Sequence, residues 1–331
     1  LSERLISSIH ELVEVDIHAF RDATRDISFD IYLKLSETNV AHIFSRTTGL
    51  DYKRLAQYIQ KGVKTLYIHP EDLDSFKLFV ARPASAILED SKTSQEKKIA
   101  ALLNMTEQNM AELFSQITVR DETALNTKKL VSNYVTLLTQ SPNTLATILR
   151  LVSHGEYLYY HSIAVAIFSV FIAKATGQFD QKSLEQVGLG GFLHDIGATQ
   201  LPKDVVCSPL ELSDQQWDSM HGHTKLGLKM IESTQSIPDE VRYIVYQHHE
   251  EPGGAGYPNK IAGPVIYYPA KVVAIADAFS ALISKRPFRP AYSVENAIQI
   301  LQESKGKYDP ALVDIVTSIF SRKQIPSKLA A

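Results

Sequence analysis

The stretch "YYPAKVVAIADAFSALIS", residues 267–284, is apolar almost throughout and carries one acid, Asp277. A helix that is apolar on every side belongs in the middle of a helical core rather than on its surface. An ionised carboxylate there costs several kcal/mol unless a cation or a full set of hydrogen bonds compensates it. Lys271, Lys285 and Arg286 are candidate partners within the chain, and a metal ion is the alternative. Outward from this helix, helical patterns continue at 121–140, 143–153, 157–175, 181–196, 213–233, 238–250, 293–304 and 310–320. Breaks are expected at Pro142, Gly155, Gly177, Gly197, the "SIP" at 236–238, the glycines of 253–256 and "KRP" at 285–287. No strong strand pattern follows Asp121. Residues 121–331 therefore define an all-helical domain.

The N-terminal part differs. "FDIYLKL" (29–35) alternates apolar and polar residues as a half-buried strand does, and "AHIF" (41–44) and "TLYIH" (65–69) add short strands. "DYKRLAQYIQKG" (51–62) predicts a helix with Asp51 near its N-cap and Gly62 just past its end. "PEDLDSFKLFVAR" (70–82) predicts another, with Pro70 near its first turn. Residues 1–84 form a small α/β domain in a regulatory role. Residues 85–120 form a helical connector whose Ile99, Leu102, Leu103, Met110, Leu113, Phe114 and Ile117 make one apolar stripe, suited to a neighbouring domain or a second copy. The fold class is mainly α.

With 331 residues and 44% apolar composition, the chain has room for two domains with real cores. A net charge of −3 argues against a binder of nucleic-acid polymers, while leaving room for a local basic pocket. A single cysteine, Cys207, excludes an internal disulfide, disfavours thiolate metal sites and fits a cytoplasmic setting. No apolar run reaches the ~18 residues of a membrane span, and the acid-bearing "LSERLISSIHELVEV" does not resemble a signal peptide.

Seven of the eleven histidines lie between 154 and 249. "FLHDIG" sets His194 beside Asp195 at the end of an apolar helix, with Gly197 available to terminate it. Such a pair offers one cation an imidazole nitrogen and a carboxylate, and the two carboxylate oxygens can also serve two cations. His161 opens an apolar helix. His221 and His223 stand two apart and so cannot share a helix face. His248 and His249 precede Glu250 and the glycine loop. Taken with Asp277, the order H…HD…H…HH…D supplies five imidazoles and two carboxylates without cysteine. That mixture suits divalent iron, manganese or zinc and is too nitrogen-rich for calcium or magnesium. Seven ligands exceed one tetrahedral site and fit two open octahedral metals that share a carboxylate.

These residues resemble the HD superfamily of metal-dependent phosphohydrolases and, within it, the HD-GYP branch. The likeness runs from about 121 to 325 through "YYHS", "FLHDIG", "HTKLG", "HHEEPGGAGYP", "YYPAKVVAIADAFSAL", "RPFR" and "KYDP". It implies hydrolysis of cyclic di-GMP to pGpG or GMP. It further implies one metal on His161, His194, Asp195 and Asp277 and a second on His223, His248 and His249, with Asp195 bridging. Two divalent ions, iron first with manganese or zinc also suited, would share a hydroxide that attacks phosphorus. Tyr157 stands where some members carry a glutamate for a third metal, so two are expected. Arg286 and Arg289 match substrate-contacting positions, and arginine suits both bidentate phosphate contact and stacking on guanine. The GYP residue Tyr257 is expected to pin its loop at the site mouth and to touch substrate or a protein partner. Glu250 is expected to orient a ligand histidine.

Three positions depart from the branch. Ala198 replaces the usual lysine of HDIGK, Gly253 replaces Asp or Asn, and Ser280 replaces Asp. None removes a metal ligand, but the first removes a charge from the reaction zone. The expectation is thus a cyclic di-GMP phosphodiesterase, of low activity because of Ala198. The alternative is a metal-containing receptor or interaction module, engaging a protein through the GYP loop or the N-terminal domain.

Overall fold

The structure, a computed structural model, describes residues 12–20, 27–36, 39–89, 93–140, 157–206, 208, 213–285 and 289–320. The chain divides into two compact units, Leu1–Ala101 and Leu102–Ala331.

In the first unit, β1 (Val13–Asp16), β2 (Ile31–Lys34), β3 (Val40–Phe44) and β4 (Thr65–Ile68) form one sheet in the order β1-β4-β2-β3. Every pairing is antiparallel, with Val13 opposite Ile68 and Ile31 opposite Phe44. β1 is not among the expected strands: Val13-Glu14-Val15-Asp16 alternates, but over only four residues. Helix α1 (Tyr52–Gln60) stops before Gly62, whose φ of +81° lies in the left-handed region that glycine adopts freely. Helix α2 (Leu73–Glu89) follows a single 3-10 turn at Pro70–Asp72. Its Phe76 and Phe79, three residues apart on one face, meet Phe20 and Phe29 with ring centroids 5.5 to 5.8 Å apart. Arg46 ties two acids together, its Nε 3.0 Å from Asp30 and its Nη2 3.0 Å from Asp72.

The division between units falls inside α3 (Gln95–Phe114). Beyond it the regular elements among the described residues are helices: α4 (Asp121–Gln140), α5 (Tyr157–Thr176), α6 (Gln181–Leu193), the one-turn α7 (Lys203–Val206), α8 (Asp214–His221), α9 (His223–Ile231), α10 (Asp239–Gln247), α11 (Tyr268–Ile283), α12 (Val294–Glu303) and α13 (Pro310–Phe320). The expected helix at 143–153 and the breaks at Pro142 and Gly155 lie outside the described residues. The single helix expected over 213–233 is two, parted at Gly222. The connector stripe packs on α4: Leu102, Leu103, Met110 and Leu113 are buried, Thr106 meets the Tyr134 hydroxyl at 3.0 Å, and Thr127 donates to Asn109 at 2.8 Å. Ile117 lies past the end of α3, off that stripe, and is exposed.

Helix α5 is buried along almost its whole described length and packs against α6 and α11. Phe168 of α5, Phe279 of α11 and Phe320 of α13 interlock, at 5.2 Å for the first pair and 4.4 Å for the last two. Glycines on α6 allow the close approach: a Cβ at Gly190 would stand 2.6 Å from the Ile244 side chain on α10. His194 is thereby delivered into the middle of the helical unit. No helix among the described residues is long and apolar enough to cross a membrane.

Candidate metal centre

Five helices supply the site. His161 comes from the first turns of α5 and Asp277 from the middle of α11. His194 caps the C-terminus of α6, and Asp195 follows it into a 3-10 turn, Ile196–Gln200. His223 starts α9, and His248 caps the end of α10 with His249 beside it. Gly197 works by closeness rather than as a helix stop. A Cβ there would lie 2.0 Å from the His223 carbonyl, so only glycine lets the His-Asp turn sit against the start of α9.

Two groups of potential ligand atoms result, each held within 4.8 Å: His161, His194 and Asp195, and Asp195, His223, His248 and His249. Asp195 belongs to both, and its two oxygens divide between them. Oδ2 stands 3.3 Å from His194 Nε2, whereas Oδ1 stands 3.3 Å from His223 Nε2 and 3.8 Å from His248 Nε2. Asp277 joins the first group through Oδ1, 2.9 Å from His161 Nε2 and 4.0 Å from His194 Nε2. Neither carboxylate pairs with a lysine or arginine among the described residues. Lys271, one of the candidates for Asp277, pairs instead with Asp309 at 3.4 Å.

The imidazoles are set as ligands need to be. His194 Nδ1 meets the Gly191 carbonyl at 2.7 Å, His223 Nδ1 that of Met220 at 2.6 Å, and His248 Nδ1 that of Val245 at 2.9 Å. A carbonyl only accepts, so each Nδ1 carries a proton and Nε2 is the ring nitrogen turned inward, with the His223 and His248 Nε2 atoms 3.3 Å apart. Burial pushes the His248 imidazole down, and burial together with the neighbouring His248 and His223 rings pushes His249 well down. Both therefore stay neutral and available.

Burial also pushes the His194 imidazole down, but the charges of Asp195 and Asp277 outweigh it and lift the group to about 9. Burial would raise both carboxyls. The His194 ring on Asp195 and the His161 ring on Asp277 prevail, and both acids are held below the usual carboxylate range. His194 Nε2 is nonetheless buried without a hydrogen-bond partner, because the Asp195 oxygen lies off the line such a bond requires. A buried orphan nitrogen facing ionised carboxylates fits a divalent ion.

Around this centre the loop of residues 251–262 folds back on α10. Glu250 is buried, and its two carboxylate oxygens accept from the Asn259 and Ile261 amides at 2.7 and 3.0 Å. It ties down the loop: its hydrogen bonds among the described residues go to loop amides and not to a ligand histidine. Tyr257 lies over His249, ring centroids 4.6 Å apart, with His221 at 4.2 Å from it. His221 is thus a neighbour of the GYP tyrosine and His223 a member of the metal cluster. Burial, followed by Asp195 and Asp277, raises the Tyr257 phenol well above its ordinary value, so it stays protonated.

Arg289, expected as a substrate contact, is turned onto backbone carbonyls in this structure. It donates to the carbonyls of Ala281, Leu282 and Pro290 at 2.8 to 3.1 Å and lies over the Tyr292 ring, whose backbone amide meets the Leu282 carbonyl of α11 at 3.0 Å. Arg286 lies outside the described residues. Ala198 is buried in the 3-10 turn directly after Asp195. The Ser280 hydroxyl, which stood out in the sequence only as a departure, meets His161 Nδ1 at 3.3 Å.

Residues 129–312 match the HD domain family model, and the chain belongs to that family. Its His-His-Glu and Gly-Tyr-Pro elements and its relatives place it in the HD-GYP branch. It is 30% identical over 169 residues to the cyclic di-GMP phosphodiesterase PA4108 of Pseudomonas aeruginosa, covering 51% of this chain and 41% of that protein. It is 34% identical over 124 residues to the cyclic di-GMP phosphodiesterase response regulator RpfG of Xanthomonas campestris, covering 37% and 33%. The chain thus spans less than half the length of these curated relatives. The same fold occurs in Bd1817, an HDG"Y"P protein from Bdellovibrio bacteriovorus, with a TM-score of 0.68 at 17% identity over 94% of this chain and 99% of that one.

Proposed function

We propose that this protein is a metal-dependent phosphodiesterase that opens cyclic di-GMP to pGpG or GMP. The observation that carries the reading is the division of Asp195, one oxygen toward His194 and the other toward His223 and His248. A carboxylate so placed is suited to bridge two cations. His161, His194, Asp195 and Asp277 would hold one, and His223, His248 and His249 the other, with Asp195 shared. Two such ions, iron first with manganese or zinc also suited, would lower the pKa of water toward ~7 and polarise the phosphoryl oxygens.

The chain's own residues do the rest. Two carboxylates only partly neutralise two divalent ions, so the centre stays net positive and attracts an anionic phosphodiester. The backbone carbonyls orient the His223 and His248 rings with Nε2 turned inward, and Glu250 holds the loop that seats Tyr257 over His249. Among curated relatives of this size of match, one is named a 3′3′-cGAMP-specific phosphodiesterase 2, from Vibrio cholerae, 28% identical over 47% of this chain and 30% of that protein. The hybrid cyclic dinucleotide is therefore the control substrate.

A second reading, a metal-containing receptor that binds the nucleotide and engages a protein partner, is favoured by two observations. Ala198 leaves no ammonium next to Asp195, and Arg289 is committed to backbone carbonyls. The deciding experiment is anaerobic purification, metal counting and incubation with cyclic di-GMP and 3′3′-cGAMP. Two metals per chain and release of pGpG support the enzyme. Two metals with tight binding and no product support the receptor.

A further inference from the structure

Helix α8 buries none of its residues. A capping box of Ser213 with Gln216 closes its start and Gly222 its end, so it holds its shape without a core face. What it brings together is a row of rings. His221, its last residue, has its ring centroid 4.2 Å from that of Tyr257, which lies 4.6 Å from that of His249. One turn earlier on the same face, the Trp217 ring stands 5.8 Å from His221. Four rings thus run from a histidine of the metal cluster to the surface, where Trp217, the chain's one tryptophan, is 48% exposed. The other exposed aromatic rings of the helical unit, among the described residues, are engaged elsewhere. Tyr243 pairs with Tyr267 at 5.8 Å, and Tyr292 lies under the Arg289 guanidinium. An indole half open to water carries apolar surface that a planar base would cover. Every nucleobase has a π-face, so such a plane can hold one without reading its edge. The guanidinium expected to stack on guanine, that of Arg289, is turned onto backbone carbonyls, and the indole supplies a plane in its stead.

We infer that Trp217 is a substrate-binding residue whose indole stacks on one guanine of cyclic di-GMP while the phosphodiester lies at the metal centre. The inference rests on the nucleotide-binding reading proposed above and holds for the enzyme and the receptor alike. A contact to a base, remote from phosphorus, acts equally in the ground and transition states. It therefore sets affinity and leaves the chemical step alone.

The test uses the full chain loaded with Mn2+, in which tryptophan emission reports on this one ring. Cyclic di-GMP should quench that emission saturably. Inorganic phosphate alone, which carries no base, should leave it unchanged. Affinity for cyclic di-GMP is then read as KM where product forms and as Kd by equilibrium dialysis where none does. Trp217→Ala should weaken it about tenfold, the scale of one lost base stack, with the loss falling on KM and not on kcat. Trp217→Phe, which keeps a plane, should recover most of that loss. Affinity for inorganic phosphate, by calorimetry, and metal content should be the same in all three proteins. Absence of quenching on binding, or equal nucleotide affinity in Trp217→Ala, overturns the inference and leaves the nucleotide-binding reading standing. A parallel loss of phosphate affinity or of metal overturns it too, because Trp217 would then support the Tyr257 loop rather than touch a base. Failure of the unaltered protein to bind or cleave cyclic di-GMP overturns both.

Discussion

The two units treat their inward-facing acids in opposite ways. In the N-terminal unit, Asp30 and Asp72 are closed by one guanidinium, that of Arg46, with His42 also 3.4 Å from Asp30. Nothing further is needed, and the cluster is structural. In the helical unit, Asp195 and Asp277 are ringed by imidazoles alone among the described residues, and one of those imidazoles keeps a buried nitrogen without a hydrogen-bond partner. The difference separates a charge cluster closed by a guanidinium from one whose donors, imidazole and carboxylate together, are those that suit a divalent cation. A buried acid is therefore informative through its partners more than through its burial.

The sharpest way to break this comparison is to remove the nitrogen donors. The double change His248→Ala and His249→Ala should strip one of two metals per chain and abolish any turnover. Elemental analysis of the purified variant checks it, and retention of two metals would sink the ligand assignment. A second large effect follows from metal removal. A ligand that binds only the folded state stabilises it by about 2.7 kcal/mol when present at a hundredfold excess over its Kd. Chelation should therefore lower the protection of amides in α6 and α10 against hydrogen exchange. The β2 and β3 amides, beside the self-contained Arg46 cluster, should be unchanged. Equal loss in both units would mean that the ions do not act where the imidazoles are.

Much of this centre was legible in the sequence, because ligand residue types are rare in apolar helices. His161, His194 and Asp277 each stood out as a polar residue where burial was expected. Order along the chain then sufficed to group them, while the choice of His223 over His221 rests on the resemblance. What the sequence did not carry is contact. Nothing in "HHEEPGG" says that Glu250 reaches two amides nine and eleven residues further on. Nor does "KRPFR" reveal that Arg289 turns back onto the carbonyls of α11. Those depend on the path of a loop, set by packing rather than by periodicity. β1 failed for a different reason: its alternation runs over only four residues.

Glu250 offers an intermediate test, since it is a buried acid of the helical unit that is closed internally. Glu250→Ala would leave two loop amides without their acceptor, at a cost of ~1–3 kcal/mol for each left buried. Thermal unfolding should show that loss, with metal content unchanged. Loss of a metal in this variant would mean that Glu250 acts on a ligand after all.

The smallest expected effect belongs to the N-terminal cluster and to acid. Burial would raise the Asp30 carboxyl, but the Arg46 amide and guanidinium outweigh it, and the group is held below its ordinary value. A carboxyl lowered by folding contributes stability above its unfolded pKa of about 3.9 and loses that contribution as pH falls through the lower folded value. Protection of β2 and β3 amides should therefore fall as pH drops below about 4. Arg46→Ala, which keeps the backbone amide on Asp30, should reduce that dependence without removing it while costing ~1 kcal/mol at neutral pH, the scale of a pair whose arginine is largely solvated. If the acid sensitivity survived undiminished in Arg46→Ala, the guanidinium would not be what closes the cluster, and the contrast with the imidazole-ringed carboxylates would have to rest on the helical unit alone.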